Sequence, residues 1–195
     1  ADLVAAQFID QVRFTSQAAE YVFHHPLIRT VAYEAQLKSD RADVHRRLAA
    51  AIEHRDDNSV GENAALIAEH LEAAGDLRAA YGWHMRAGAW SNSRDIRAAR
   101  ISWERASRVA DALPANDPER TTMRIRPRTA LCTTTSRAGL GVADTGFDEL
   151  RELCCSAGDD LSLAIAMYGL MTALNLEHRH REASVLASEQ SRLLE

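Results

Sequence analysis

Lysine is almost absent from this chain of 195 residues, since Lys38 is the single lysine and every other cation is an arginine. The formal net charge is -5, so the chain also lacks the basic balance typical of a free-standing nucleic-acid binder. We interpret the arginine excess as codon bias, and it gains functional meaning only where several arginines converge. The composition argues against direct binding of nucleic acid, although it leaves a local basic patch as an alternative.

Cysteine is scarce as well, and the three thiols are those of Cys132 and the adjacent pair Cys154 and Cys155. An odd number with two neighbours makes a poor disulfide framework, which predicts reduced thiols. The sequence has no run of about 18 apolar residues and no signal peptide. We therefore expect a cytoplasmic protein without a membrane partner. Because the chain begins with Ala1 rather than Met, we also expect it to be a fragment of a longer protein.

The residues that are abundant favour helix. Hydrophobic residues make up 46% and charged residues 26%, which is an ordinary globular balance, and alanine is frequent. Near the amino terminus, two short aromatic-containing runs at residues 11–15 and 20–23 flank a polar stretch and predict a β-hairpin. The preceding residues 3–9 are interpreted as the end of a helix. Pro26 is placed to open a helix, and a second helix carries Val44, Leu48 and Ile52.

A polar break at residues 56–61 predicts a domain boundary, and helical patterns follow one another after it. Gly75 is predicted to end one helix and Asp76 to cap the next. Pro114 stops a helix, Pro118 opens another, and Pro127 is predicted to interrupt or end it. Residues 136–146 are interpreted as a loop.

The spacing of small and large residues in these helices is that of a helical repeat. Ala99, Trp103 and Ala106 fit the small-large-small pattern of tetratricopeptide (TPR) helices, whereas Ala80, His84 and Ala87 fit it less well. Small residues let paired helices approach, and the aromatic ring fills the groove between them. The repeat length is irregular, so the prediction is a TPR-like α-solenoid of antiparallel helix pairs.

A family resemblance rests on the amino-terminal half. Tyr33 and the core Val44-His45-Arg46-Arg47 follow a run that reads Tyr21-Val22-Phe23-His24-His25-Pro26-Leu27-Ile28-Arg29. A repeat region then opens with His70, Ala74, Gly75 and Asp76. Together these residues resemble the regulatory region of STAND-class signalling ATPases, such as LuxR-type transcriptional regulators and adenylate-cyclase-like proteins. The resemblance is clear over residues 20–114 and looser beyond them.

The resemblance implies a winged-helix-like segment followed by a helical arm that senses an inducer or partner, with an ATPase domain upstream in cis. It also implies that His25 contacts bound nucleotide when that core is attached. The alternative for His25 is a local cap at the junction of hairpin and helix. The chain departs from the family in having no Gly-x-x-x-x-Gly-Lys-Ser/Thr phosphate loop, no cyclase block and no LuxR-type DNA-binding helix pair. No cofactor is therefore predicted for this chain, although ATP is a candidate in the parent protein.

Three further groups are weighed as sites. The close pairs His24/His25 and His178/His180 lack metal-ligand spacing, so no metal site is predicted. Two arginine-rich stretches, residues 124–128 and 178–181, are candidates for anion recognition, against the alternative of solvated helix faces. Trp83, Trp90 and Trp103 are candidates for a ligand groove, against the alternative of core packing.

The sequence thus predicts an all-α protein with a small amino-terminal hairpin, in two parts. Residues 1–58 form a partial winged-helix-like segment, and residues 61–195 form a TPR-like helical domain whose concave face is the contact surface. The predicted function is a non-catalytic regulatory module of a larger signalling ATPase or transcriptional regulator, with no catalytic residue of its own. The alternatives are a nucleic-acid-binding fragment that uses Arg41, Arg46 and Arg47, a stand-alone peptide-binding protein, and an enzyme with an unrecognised site.

Overall fold

The computed structural model describes residues 3–15, 18–54 and 61–195. Contacts between residues divide the chain into two units, Ala1–Val44 and His45–Glu195. The strands are β1 (Ile9–Thr15) and β2 (Ala18–Phe23). The helices are α1 (Pro26–Glu34), α2 (Lys38–Glu53), α3 (Ala64–Ala74), α4 (Leu77–Ser91), α5 (Ile96–Ala112), α6 (Arg120–Thr134), α7 (Phe147–Ala157), α8 (Asp160–Leu176) and α9 (His180–Leu193). The protein is mostly helical with a small sheet, as the sequence predicts, while the TPR-like arrangement stays a prediction.

The amino-terminal unit contains the predicted hairpin. β1 and β2 pair antiparallel, with Ile9 opposite Phe23, and the register shifts between Gln11 and Arg13. The predicted helix end at residues 3–9 is wrong, because residues 3–7 form turns and Ile9 already belongs to the strand. Gln7 in this segment has a φ of 56°, in the left-handed region that a right-handed helix cannot use. The Phe8 amide donates to the Leu3 carbonyl at 3.0 Å, so a tight turn precedes the strand.

The first helix begins as predicted. Pro26 lies in the first turn of α1, where its missing N–H is harmless. His25 is the N-cap, and its Nδ1 accepts a hydrogen bond from the Leu27 amide at 3.1 Å. The division between the units falls inside α2, between Val44 and His45. The predicted boundary at residues 58–61 stays a prediction, because residues 55–60 lie outside the described part of the chain.

Successive helices of the carboxy-terminal unit pack on one another, α3 on α4, α4 on α5 and α5 on α6. Gly75 ends α3 in the left-handed conformation, with a φ of 81°, as its predicted role as a helix end requires. Asp76 is at the N-cap position of α4, but its predicted capping hydrogen bond is not made, because its carboxylate binds Arg46 instead. Asp95 caps α5 by accepting from the amides of Arg97 and Ala98. The left-handed glycine and the aspartate cap therefore determine where α3 ends and where α5 begins.

Helix α6 corrects one prediction. It runs through Pro127 without ending there. Proline removes one backbone hydrogen bond and crowds the preceding turn. Pro127 and Ile125 are completely buried, so packing against the core outweighs that local cost. The start of α6 also differs, because the helix begins at Arg120 and not at Pro118, while Asp117 accepts the Glu119 amide at 2.9 Å.

Two apolar cores hold the helices. One lies between α4, α5 and α6, and the other lies between α6, α7, α8 and α9. Trp103 belongs to the packed interior and lies directly against Gly88 of α4. Gly169 of α8 lies against the backbone of Cys132 and Thr133 of α6. Both glycines therefore permit contacts that a side chain would block.

Within residues 3–15, 18–54 and 61–195, no helix has the length and apolar character needed to cross a membrane.

Candidate functional site

Three polar cavities adjoin one another on the carboxy-terminal unit, and together we call them the polar groove. The first cavity, of about 550 Å³, lies between α3 and α5 and is lined by Glu69, Glu72, Ala73, Arg105 and Arg108. The central cavity, of about 410 Å³, is lined by residues of α5, α6, the segment after α6 and the start of α7. The last cavity, of about 380 Å³, lies between α7, α8 and α9.

Shared lining residues show that the cavities are adjacent. Arg108 lines both the first and the central cavity. Thr145, Gly146 and Glu149 line both the central and the last cavity. The polar groove therefore passes from α3 across α5 and α7 to α9. The volume of each of the three cavities is in the range of sites that bind small ligands or peptide segments.

The first cavity has paired charges and a buried histidine behind it. Arg105 forms an ion pair with Glu69. Glu72 accepts a hydrogen bond at 3.1 Å from Nε2 of His84, whose side chain is only 1% exposed. Burial lowers the pKa of His84, although its hydrogen bond to the Glu72 carboxylate opposes that effect. His84 is therefore neutral at physiological pH, and its Nδ1 is buried without a partner in the described structure.

In the central cavity, two of the three predicted anion-binding arginines are already neutralised. Asp111 accepts hydrogen bonds from Arg124 at 2.6 Å and from Arg128 at 2.7 Å, and Arg128 also lies 3.0 Å from Glu149. Burial raises the pKa of Asp111, but the two arginine hydrogen bonds outweigh this and hold it below the usual range. Arg126 is exposed and lines none of the three cavities. The structure therefore does not bring residues 124–128 together as one anion site.

Helical geometry explains this separation. Residues two apart on a helix point about 200° from one another, whereas residues four apart share a face. Arg124 and Arg128 therefore reach the same carboxylate, and Arg126 lies on another side.

Arg100 is a feature that the sequence reasoning missed. Its side chain is buried, with 9% exposed, and it lines the central cavity. Nη1 donates to the Leu131 carbonyl at 2.6 Å and to Oγ1 of Thr134 at 3.2 Å. Among residues 3–15, 18–54 and 61–195, no carboxylate forms an ion pair with it. The signal in the sequence was an arginine next to Ala99 in the small-residue stripe of α5.

Arg179 of the second arginine-rich stretch is also neutralised. Arg179 binds Glu182 through two hydrogen bonds of 2.7 and 2.8 Å and lies 3.5 Å from Glu177. These contacts raise the pKa of Arg179 and lower that of Glu182, with the side-chain hydrogen bond as the main cause. His180 bonds to the Asn175 amide oxygen at 3.1 Å. The pattern matches a charged helix start rather than an open anion site.

The three tryptophans do not line the polar groove. Trp103 is in the core, as the packing alternative predicts. Trp83 lies under the guanidinium of Arg86, and Trp90 lies under that of Arg94, at 5.0 and 4.5 Å from the ring centres. They are partly exposed surface rings with cation–π neighbours.

His25 is exposed at the start of α1, where it acts as the predicted local cap. Its contact with nucleotide stays a prediction. His24 binds Asp10 at 3.0 Å. Cys154 is buried and Cys155 exposed, and no three histidine, cysteine or acidic side chains of the described residues converge as metal ligands would.

The amino-terminal unit has an apolar cavity of its own, of about 460 Å³. Several of its side chains are largely exposed, including Leu27 at 66% and Val31 at 67%. None of the residues of α1 is buried. The residues that line this apolar cavity are Leu3, Phe8, Ile9, Phe23, Leu27, Ile28, Val31, Ala32 and Ala35.

No protein-family model matches the chain, and no solved structure matches it. A segment of 87 residues, or 45% of the chain, is 33% identical to part of an uncharacterized protein of Rhizobium meliloti strain 1021. The matched segment makes up 8% of that protein, so the chain spans a small part of its relative's length.

Proposed function

We propose that the chain is a non-catalytic regulatory module of a larger cytoplasmic signalling protein, and that the polar groove binds a protein partner or a small-molecule inducer. The observation that carries the proposal is the row of three adjoining cavities across α3, α5, α7 and α9. Helical repeats bind their partners on an extended face to which successive repeats each contribute side chains. A groove supplied by alternate helices fits that mode of binding.

The parent protein is proposed to be a STAND-class ATPase or a LuxR-type regulator, with its ATPase domain upstream in cis. The support is the resemblance of residues 20–114 and the much greater length of the Rhizobium relative. Ligand binding on the arm would then favour one arrangement of the module, and linkage would transmit that bias to ATP turnover or DNA output. His25 is the proposed contact to nucleotide in that assembly.

Direct nucleic-acid binding is less favoured by the charges. Arg41 pairs with Glu34 at 3.3 Å, and Arg46 pairs with Asp76 at 2.8 Å. Two of the three arginines needed for a basic face are thus neutralised by acidic neighbours. A partner with phosphates would have to displace those carboxylates.

Catalysis by the groove is also less favoured. Its three cavities, as the described residues form them, are lined by no histidine and no cysteine. The acids Asp111 and Glu149 both bind Arg128, and the arginine hydrogen bonds hold the pKa of Asp111 below its usual range, which makes it a poor general acid.

The test uses the intact polypeptide that contains this chain. Its sequence is examined for an upstream phosphate loop, and ligands found by thermal shift in metabolite and peptide libraries are then assayed for their effect on ATP hydrolysis. The groove variant is Arg108→Glu, because Arg108 lines two cavities and is exposed. The matched control is Arg97→Glu, an exposed position on the same helix that lines none of the three.

We expect the phosphate loop to be present, and we expect Arg108→Glu to abolish ligand binding together with the ATPase response, while Arg97→Glu retains both. A polypeptide without the loop and without ATP turnover would overturn the ATPase assignment in favour of a stand-alone peptide binder. Equal effects of the two variants would show that ligands bind elsewhere.

A further inference from the structure

The central cavity contains an arginine, Arg100, with which no carboxylate of the described residues forms an ion pair. The guanidinium of Arg100 is buried, and arginine keeps its proton at all accessible pH values. Its Nη1 bonds to two neutral acceptors, the Leu131 carbonyl and the Thr134 hydroxyl. Burying a charge without a counter-charge is costly, because neutral acceptors replace only part of its hydration.

Some N–H groups of the Arg100 guanidinium have no hydrogen-bond partner among the described residues. It carries five N–H groups, and only those of Nη1 have partners in the described structure. The atoms Nε and Nη2 are not among the side-chain atoms that are sealed from solvent without a partner. Nε and Nη2 are therefore not sealed from solvent, and the side chain that carries them lines the central cavity.

A second polar group of the lining, the Ser107 hydroxyl, is sealed from solvent, so it offers a ligand no direct contact. Ser107 is also on α5, its side chain is buried, and its Oγ makes no hydrogen bond within the described residues. It is seven residues after Arg100, which places the two on one face of the helix about 10 Å apart along the axis. A serine in this setting commonly bonds to the carbonyl four residues earlier, as Ser102 does to Ala98.

We propose that the central cavity binds a carboxylate, with Nε and Nη2 of Arg100 as the donors. This inference rests on the proposed ligand-binding role of the polar groove, and it names the chemistry of that ligand. The planar fork of a guanidinium matches the two oxygens of a carboxylate.

The charges around the cavity favour a carboxylate over a phosphate. The lining contains four carboxylates, Glu104, Asp111, Asp144 and Glu149, and three arginines. Arg124 and Arg128 each bind both Asp111 and Glu149, so neither acid is left for Arg100, which still lacks a counter-charge. Glu104 and Asp144 oppose an anion that carries a second negative charge. A singly charged planar anion meets that need, whereas a phosphate dianion is repelled by Glu104 and its neighbours.

The carboxylate has two possible sources, a peptide terminus or a small organic acid. The test follows the Nε–H resonance of Arg100 by nuclear magnetic resonance in the full chain labelled at arginine. Four probes are added at constant ionic strength: acetate, succinate, triglycine and triglycine amide. Arg126 is the internal reference, because it is exposed and outside the cavity. If the natural ligand is a peptide terminus, triglycine should saturate the site at the lowest concentration of the four probes. If it is a small organic acid, acetate or succinate should do so.

Two variants separate binding from folding. Arg100→Lys keeps the charge and loses the fork, so the dissociation constant should rise by about tenfold or more. Ser107→Ala is the matched control, because it removes a hydroxyl that is sealed from solvent and makes no hydrogen bond within the described residues, so both the fold and carboxylate binding should be kept. The Ser107→Ala chain and the wild-type titration remain informative even where Arg100→Lys unfolds the protein.

We expect saturable shifts at Arg100 with carboxylates and none with triglycine amide. Shifts that are linear, equal at Arg126 and the same with triglycine amide would overturn the inference. A saturable site in a polypeptide whose ATP turnover ignores every ligand would overturn the proposed function and leave the carboxylate site standing.

Discussion

The close approach of α6 and α8 predicts unequal effects on stability for two substitutions of glycine by alanine. A Cβ added at Gly169 would lie 2.8 Å from the Cys132 carbonyl oxygen and 2.8 Å from the Cα of Thr133, both backbone atoms of α6. A Cβ added at Gly82 of α4 would meet nothing within 4 Å. Gly169→Ala and Gly82→Ala therefore differ in the space around the new methyl group and share the change of helix propensity.

The magnitudes follow from these two contributions. Alanine is more favourable than glycine inside a helix by about 1 kcal/mol, so Gly82→Ala should raise the free energy of unfolding by roughly that amount. At Gly169 the same gain is opposed by overpacking, which costs about 1–3 kcal/mol when the neighbours are rigid. The neighbours are backbone, and the Cys132 thiol bonded to Ala166 at 3.4 Å ties the two helices at this point. We expect Gly169→Ala to be less stable than Gly82→Ala by about 1–3 kcal/mol.

Urea unfolding of both variants and of the wild type, followed by far-ultraviolet circular dichroism, measures the difference. The comparison needs equal m-values, because a changed slope would mean that the unfolded or native state had changed as well. Equal stabilisation by both substitutions would refute the packing argument and would mean that α6 and α8 are farther apart than described.

Two further predictions concern single side chains. Burial raises the pKa of the Cys132 and Cys154 thiols to about 11, whereas Cys155 is exposed, so a thiol reagent at pH 8 should modify one cysteine quickly and the other two only in urea. Fast modification of all three native thiols would contradict the burial. Burial also lowers the pKa of His84 from its unfolded value of 6.5, so the unfolded chain takes up the proton first and stability should fall as pH drops below about 6.5. In His84→Phe this part of the slope of unfolding free energy against pH should vanish, and an unchanged slope would refute it.

The features that the sequence predicted well are those set by a few neighbouring residues. The hairpin followed from two aromatic runs around a polar stretch, and the end of α3 followed from Gly75, which is in the left-handed conformation. In each case the backbone preferences of a few consecutive residues determine the local structure, so the sequence is sufficient to predict it.

The features that it missed depend on contacts between distant residues. Pro127 continues α6 because core packing compensates for its lost hydrogen bond, and no local rule contains that term. Arg100 was overlooked because arginines are mostly exposed, and its acceptors on α6 are more than thirty residues away in the chain. The polar groove likewise joins helices whose order in space the periodicity alone does not give.

The ion pairs at Arg128 have a mechanical consequence. One guanidinium on α6 bridges Asp111 of α5 and Glu149 of α7, so electrostatic attraction fixes the width of the central cavity at that point. Such attraction weakens as added salt shortens the screening length, whereas apolar contacts beneath it do not. The width of the central cavity at Arg128 should therefore vary with ionic strength, whereas the apolar core beneath it should not. A charged ligand that competes for Arg128 would weaken the same ion pairs and so widen the cavity.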